Sequence, residues 1–218
     1  MTYKEILDNY SEYLAIEHPL HLLDKSSNPW EVSLAVMLSG HCTDAAVNKV
    51  IGKLLEAFPT PESILEDWVT KDKIISLIPG ISHSGSKADY AINIAKYLIT
   101  HNGHFEDSLD KITEITGIGR KTGSIVLFRC YGSDYGFPLD THCLRVLDRL
   151  GWYPNSKPKP LEKALLADFA PGTRHDAHII LTQVGRLVCH PKNPKCAECK
   201  LRAFCKFGLA HTVTAPIN

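Results

Sequence analysis

Four of the seven cysteines stand within 17 residues of one another: Cys189, Cys196, Cys199 and Cys205, spaced Cys-x6-Cys-x2-Cys-x5-Cys. No other feature limits the fold so tightly. The segment they bracket is short and charged, too small to pack by itself, so something bound must fold it. Four thiolates so close suit a tetrahedral zinc ion or an iron–sulfur cluster, and spacing alone does not separate the two. A cluster of this kind, in a chain with an odd cysteine count, argues against a disulfide framework and for a reducing compartment. Cys42, Cys130 and Cys143 fall outside the pattern and read as small buried residues.

The remainder reads as helices. Tyr3, Ile6, Leu7, Tyr10 and Leu14 recur at helical spacing over 3–17. Asn28-Pro29-Trp30-Glu31 is a start signal, with a cap, a proline in first position and a glutamate in third. The helix it opens, 29–39, is apolar almost all round and should be buried. Thr43 or Asp44 caps the next. Thr60-Pro61-Glu62-Ser63 starts another, 71–78 is short and ends at Pro79-Gly80, and 86–101 is long and amphipathic. Pro154 to Pro160 is a loop, with helices at about 161–169 and 174–188 after it. No alternating strand pattern and no repeat period occurs, so the expected fold is all-α. No apolar run reaches membrane-spanning length, and the acidic N-terminal stretch does not resemble a signal peptide.

Residues 108–145 carry the chemistry. Ser108 caps a short helix with Leu109 and Ile112 on one face. Gly117-Ile118-Gly119 follows, and a second helix begins near Arg120 with Ile125, Val126 and Phe128 buried. Glycines ahead of a helix N-terminus leave N–H groups pointing outward, a ready seat for a phosphate. Neither the dinucleotide nor the nucleotide-triphosphate glycine spacing is present. A grip on one DNA backbone phosphate fits better; a plain structural turn is the alternative. Lys121 stands in the first turn of the second helix, at the positive end of its dipole, where cations are disfavoured. An amine that sheds its proton is a nucleophile able to form Schiff bases with carbonyl carbons. Asp140 reads as the N-cap of a helix from Thr141 to Leu150. A carboxylate beside a neutral amine is a plausible pair for attack on a sugar; taken singly, the two are a solvated lysine and an ordinary cap.

The net charge is zero, which argues against a strongly basic, non-specific nucleic-acid binder and weighs mildly against DNA as a partner. The charge is unevenly distributed. Residues 185–206 hold six Lys/Arg against one Glu, and residues 1–31 hold two Lys against six Asp/Glu. A neutral protein with one basic face can bind a duplex, and the acidic segment should then point away from it.

Thr116-Gly117-Ile118-Gly119-Arg120-Lys121-Thr122, with Leu139-Asp140-Thr141-His142 and the cysteine spacing, resembles the endonuclease III family of DNA glycosylases over roughly residues 5–206. The resemblance implies a two-lobed helix–hairpin–helix fold. A helical barrel lobe would take 22–134, with the helix–hairpin–helix at about 108–131. An iron–sulfur lobe would take 1–21 and 135–210, leaving 211–218 as a tail, and the active-site cleft would lie between the lobes. The four cysteines would hold a 4Fe–4S cluster, with zinc as the weaker alternative. Lys121 would attack the deoxyribose anomeric carbon, assisted by Asp140, of a nucleotide flipped from double-stranded DNA. The Schiff base then allows β-elimination, so the implied activity is glycosylase plus abasic-site lyase on oxidised pyrimidines such as thymine glycol. Related monofunctional enzymes lack the lysine.

By the same resemblance Gly117, Ile118, Gly119, Arg120 and His142 would contact DNA, and Lys192, Lys195, Lys200, Arg202 and Lys206 would meet its phosphates. Three positions depart from the family pattern. Thr116 replaces the proline of Leu-Pro-Gly-Val-Gly. His41 stands where a glutamine fills the gap left by the flipped base. The loop Gly80-Ile81-Ser82-His83-Ser84-Gly85-Ser86-Lys87 is one residue longer, with Ile81 the nearest match for the apolar wedge and Ser82 beside it; a core residue at a helix end is the other reading of Ile81. The substitutions surround the lesion pocket and leave the chemistry in place. By the resemblance, Ala35 occupies the position of the catalytic glutamate of the mismatched-adenine branch, which argues against that branch. The expected partners are lesion-containing or abasic duplexes, with no membrane. The expected state is a cytoplasmic monomer, nucleoid-associated if bacterial. Competing classes are a non-catalytic DNA-binding iron–sulfur protein and a zinc-stapled structural protein.

Overall fold

A computed structural model describes residues 3–153 and 157–210; the tail expected at 211–218 lies outside them. All regular structure among the described residues is helical. In chain order the α-helices are α1 Tyr3–Tyr10, α2 Leu22–Lys25, α3 Pro29–Ser39, α4 Asp44–Ala57, α5 Lys71–Leu77, α6 Ser84–Thr100, α7 Leu109–Ile112, α8 Arg120–Tyr131, α9 Thr141–Leu150, α10 Pro158–Asp168, α11 Arg174–Leu187 and α12 Lys206–Ala210. No helix among them is long and apolar enough to cross a membrane. The chain divides into two compact units, Glu17–Tyr135 on one side and the residues up to Ile16 with those from Gly136 onward on the other.

The Glu17–Tyr135 unit is organised on α3. Asn28 caps it, accepting from the Trp30 and Glu31 N–H groups, with Pro29 in the first turn. Every residue from Trp30 to Leu38 except Glu31 is buried. Helices α2, α4, α6 and α8 pack around it, so a helix without a polar face is the centre of the bundle. Each fully buried leucine, such as Leu34 and Leu38, contributes about 2 kcal/mol relative to exposure. The α3 C-terminus is secured by a buried lysine. Lys87 is 5% exposed, and its Nζ donates to Leu38 O at 2.8 Å and Gly40 O at 2.6 Å. Carbonyls left over at a helix end are thereby satisfied by a cation, at the end where the dipole favours one.

The second unit packs α9 against α11, with α1 and α12 alongside. Its core is Ile6, Tyr10, Phe137, Cys143, Val146, Leu147, Leu161, Leu165, Ile180, Leu181 and their neighbours. Gly185 allows the α9–α11 approach: a Cβ there would lie 2.9 Å from the His142 backbone oxygen.

Several boundaries differ from expectation. The first helix ends at Tyr10, and a 3-10 turn, Ser11–Ala15, continues it; Leu14, expected on the buried face, is 37% exposed. The segment from Thr60 makes only a 3-10 turn, Glu62–Leu65. Of the expected loop 154–160, residues 154–156 are outside the described residues, and Pro158 already opens α10. A proline tolerates a first-turn position because its missing N–H would have had no helical partner.

Candidate active site

Helix α7 is capped by Ser108, whose side chain accepts from the Lys111 N–H. The chain then turns through Ile115, Ile118 and back into α8, with Ile118 N donating to Ile115 O at 2.9 Å. The two hairpin glycines have different reasons to be glycine. Gly117 has φ +108°, and a Cβ there would sit 2.5 Å from the Tyr90 ring. Gly119 is extended, at φ −85° and ψ 174°, and a Cβ on it would meet nothing within 4 Å. The chain itself therefore makes no demand for glycine at 119. Only close approach from outside would.

Gly119 is also the N-cap of α8, and offers no side-chain acceptor to the helix. No side chain at the N-cap therefore occupies the N-terminal end of α8, an end whose N–H groups and dipole suit an anion. Arg120 reaches back to Asp110, Nη1 to Oδ1 3.3 Å, in an exposed pair. Lys121 stands second in the helix and is half-buried. Ile118, expected at the DNA surface, has its side chain in the core at 3% exposure. Any contact it makes with DNA is through its backbone.

Asp140 is the N-cap of α9, as its sequence position suggests. Its Oδ1 accepts the Cys143 N–H at 2.7 Å, and its Oδ2 accepts the Thr182 hydroxyl at 3.3 Å. It is half-buried. His142, in the first turn of α9, is also half-buried. Burial lowers its pKa below the ordinary imidazole value, against the pull of the Asp140 carboxylate. Its Nδ1 lies 3.2 Å from Arg145 Nη2, and Arg145 also donates to Gly185 O and Cys189 O at 2.7 and 2.8 Å. Lys121 belongs to the Glu17–Tyr135 unit, Asp140 and His142 to the other.

Two loops of the Glu17–Tyr135 unit meet at His41 and His83. Both are exposed, both have left-handed backbones at φ 56° and 57°, and their rings stand edge to face with centroids 5.8 Å apart. Ile81 requires a correction. It is 5% exposed and belongs to the core, so its side chain is not at the surface to wedge into DNA; Ser82 and His83 beside it are exposed. Cys42 ties the loops together, accepting from Ser82 N at 3.2 Å and Lys87 Nζ at 3.4 Å. Burial pushes its thiol up, but the Ser82 N–H and the Lys87 ammonium outweigh this and the net shift is downward. Cys130 and Cys143 behave as small core residues; burial raises Cys130 to about 12. Lys87 and His83 were not signalled by the sequence, because a lone lysine or histidine between helices looks like a solvated one.

Cys189, Cys196, Cys199 and Cys205 line one cavity of about 30 Å³, walled also by Arg149, Val188, Pro194 and Phe207. Two of the sulfurs accept from donors, Cys189 from Arg149 Nη1 at 3.2 Å and Cys205 from Gly208 N at 3.3 Å; Cys205 Sγ also lies 3.2 Å from Arg149 O, and Tyr10 Oη stands 3.7 Å from Cys199 Sγ. Donors aimed at sulfur suit electron-rich, metal-bound thiolates. Among the described residues no group of three His, Cys, Asp or Glu side chains is placed to hold a metal ion. Arg149 also holds His190 O and Pro191 O at 2.7 and 3.0 Å, so the segment hangs from α9. Lys192, Lys195 and Lys200 are exposed. Lys195 lies 4.0 Å from Glu198. Lys200 is engaged within the chain, paired with Glu12 and donating to Asn9 O at 2.9 Å.

Residues 34–171 match the HhH-GPD family, a superfamily of base excision DNA repair proteins. An endonuclease III from Escherichia coli is 32% identical over 194 residues, covering 87% of this chain and 89% of that protein. One from Thermotoga maritima is 31% identical over 187 residues, covering 84% and 85%. A solved structure of a trapped endonuclease III–DNA covalent intermediate, in an estranged-adenine complex, matches with a TM-score of 0.83 at 28% identity, covering 96% of this chain and 98% of that one.

Proposed function

From a chain that belongs to the HhH-GPD superfamily of base excision DNA repair proteins, and within it to the endonuclease III family, we propose a bifunctional DNA glycosylase and abasic-site lyase acting through Lys121. The observation that carries the assignment is Lys121 in the first turn of α8, beside a hairpin whose Gly119 gives that helix no side-chain cap. A phosphate seated there fixes the register of the strand. The flipped nucleotide then brings its sugar to the amine.

The neutral Nζ of Lys121 attacks C1′ of the deoxyribose as the C1′–N bond to the damaged base breaks, the base leaving as an anion that takes a proton from solvent. Asp140, ionised and capped in place, takes the proton that the attacking amine gives up and steadies the positive sugar. Ring opening yields a Schiff base between Nζ and C1′. The imine acidifies the C2′ proton; its loss drives electrons toward C3′, and the C3′–O bond breaks with the phosphate as leaving group. Water then releases Lys121.

Oxidised pyrimidines such as thymine glycol are the substrate class that the family implies. His41 and His83 would occupy the gap left by the flipped base and read the base opposite it; imidazoles can donate, accept or stack there. Cys189, Cys196, Cys199 and Cys205 would hold a 4Fe–4S cluster, which supplies a cross-link to the segment 189–205. Lys192, Lys195 and Arg202 are the cations on that segment offered to phosphates. The protein would work as a monomer in the cytoplasm, on the DNA.

Borohydride reduction on duplexes carrying an abasic site, thymine glycol or no lesion tests this reading. A covalent complex with the first two and none with the third is expected. Trapping on the abasic duplex alone would keep Lys121 and move the base specificity away from thymine glycol. No trapping on any duplex would overturn the proposal.

A further inference from the structure

The proposed chemistry asks more of Asp140 than an N-cap provides. A cap fixes one oxygen: Oδ1 accepts Cys143 N at 2.7 Å. The other oxygen is the one left to face a reacting sugar. Its aim depends on what else binds it.

Helix α11 supplies that partner. His178, Thr182 and Gly185 fall at i, i+4 and i+7, one stripe of the helix. His178 is 6% and Thr182 8% exposed. Gly185 ends the stripe where a Cβ would press on the His142 backbone, 2.9 Å from its oxygen and 3.1 Å from its carbonyl carbon. The stripe is thus shaped to the first turn of α9, with a hydroxyl one turn before the point of closest approach. That hydroxyl donates to Asp140 Oδ2 at 3.3 Å, and its oxygen lies 3.4 Å from His178 Nδ1. A threonine hydroxyl has one proton. Spent on the carboxylate, it leaves only lone pairs facing the histidine, which can donate to them in the tautomer with its proton on Nδ1. Both separations are longer than resting hydrogen bonds of these types, as catalytic ones often are before substrate binds.

Packing does not account for this arrangement. Valine has the shape of threonine, and a hydroxyl on a buried helix face is unfavourable unless it is bonded. Resting on the reading of Asp140 given above, we propose that Thr182, backed by His178, is a positioning residue for the Asp140 carboxylate. It holds Oδ2 in the one rotamer that serves the reaction, as the Cys143 N–H holds Oδ1.

Full-length Thr182→Val, Thr182→Ser and Asp140→Asn proteins decide the matter. Two quantities are read: the single-turnover rate on a thymine glycol duplex at saturating enzyme, and affinity for a duplex with a non-cleavable abasic-site analogue. Thr182→Val should slow the reaction by roughly tenfold or more with analogue affinity unchanged. Thr182→Ser should restore the rate. A wild-type rate in Thr182→Val beside an inactive Asp140→Asn would overturn the inference while leaving the function standing. So would equal losses of rate and affinity, or a serine variant that fails to rescue, either of which makes Thr182 a packing residue. A wild-type rate in Asp140→Asn would overturn the catalytic reading of Asp140 itself, and this inference with it.

Discussion

The hairpin at 117–119 and the cysteine segment at 189–205 are held in place by opposite means. The hairpin rests on aliphatic side chains. Leu109, Ile112, Ile115 and Ile118 are all at most 7% exposed and belong to the core built on α3. Between Cys189 and Cys205 the one buried side chain is Leu201. That segment is tethered instead by Arg149, by Lys200 on Glu12 and Asn9, and by Tyr10, whose Oη accepts the Leu201 N–H at 2.9 Å. Packing alone can present the N–H groups of α8 for a phosphate. The cysteine segment has no such core, so its order depends on polar contacts and on whatever its four sulfurs bind.

The largest effect should come from removing that bound group. Cys199→Ser should lower the unfolding temperature by roughly 10 °C or more. Hydrogen exchange should rise across 189–205 and stay slow across 109–131. Equal loss of protection in both regions would break the contrast.

Gly117→Ala comes next, at about 3 kcal/mol, because it combines left-handed strain with a clash on Tyr90. Gly119→Ala should change stability by less than about 0.5 kcal/mol and weaken binding to abasic duplex, since its Cβ has room in the protein but not against a phosphate. Parallel denaturation and binding curves check the pair; equal destabilisation would mean that both glycines serve only the turn.

Lys87→Met should destabilise the Glu17–Tyr135 unit by about 2 kcal/mol, measured by urea unfolding, because it strands the Leu38 and Gly40 carbonyls at the end of α3. No change would show that those carbonyls are satisfied without it.

The smallest effect is expected at Lys200. Its pair with Glu12 is half-exposed and screened by solvent. Lys200→Gln should leave the unfolding temperature unchanged within measurement. A marked drop would mean that the salt contact, rather than the cysteine-held group, orders the segment.

What could be read from residues alone was whatever is local. Asn28, Ser108 and Asp140 act as caps because capping needs only a side chain and the next three N–H groups. Helix α3 lacks a polar face, and such a helix can only be central. The chemistry-bearing pattern from Gly117 to Lys121 lies on one turn and its helix. What escaped is long-range. Lys87 meets Leu38 across 49 residues, and Thr182 meets Asp140 across 42. Neither pairing leaves a periodic trace. For Ile81 the residues left open an apolar wedge or a core residue at a helix end, and it is the core that takes it, as an apolar side chain turns inward when it can. Leu14 fits helical spacing but is exposed because α1 gives way to a tighter 3-10 turn after Tyr10. The two hairpin glycines look alike in sequence, and only the backbone separates their roles.

The account stands or falls on which amine bonds to the sugar. The most direct measurement is to trap the protein on an abasic duplex with borohydride, digest the complex, and locate the modified residue by mass spectrometry. The account predicts the reduced sugar adduct on Lys121 and on no other amine, and no adduct in Lys121→Gln. An adduct on another lysine or on the N-terminal amine of the wild-type protein, with strand cleavage persisting in Lys121→Gln, would contradict it.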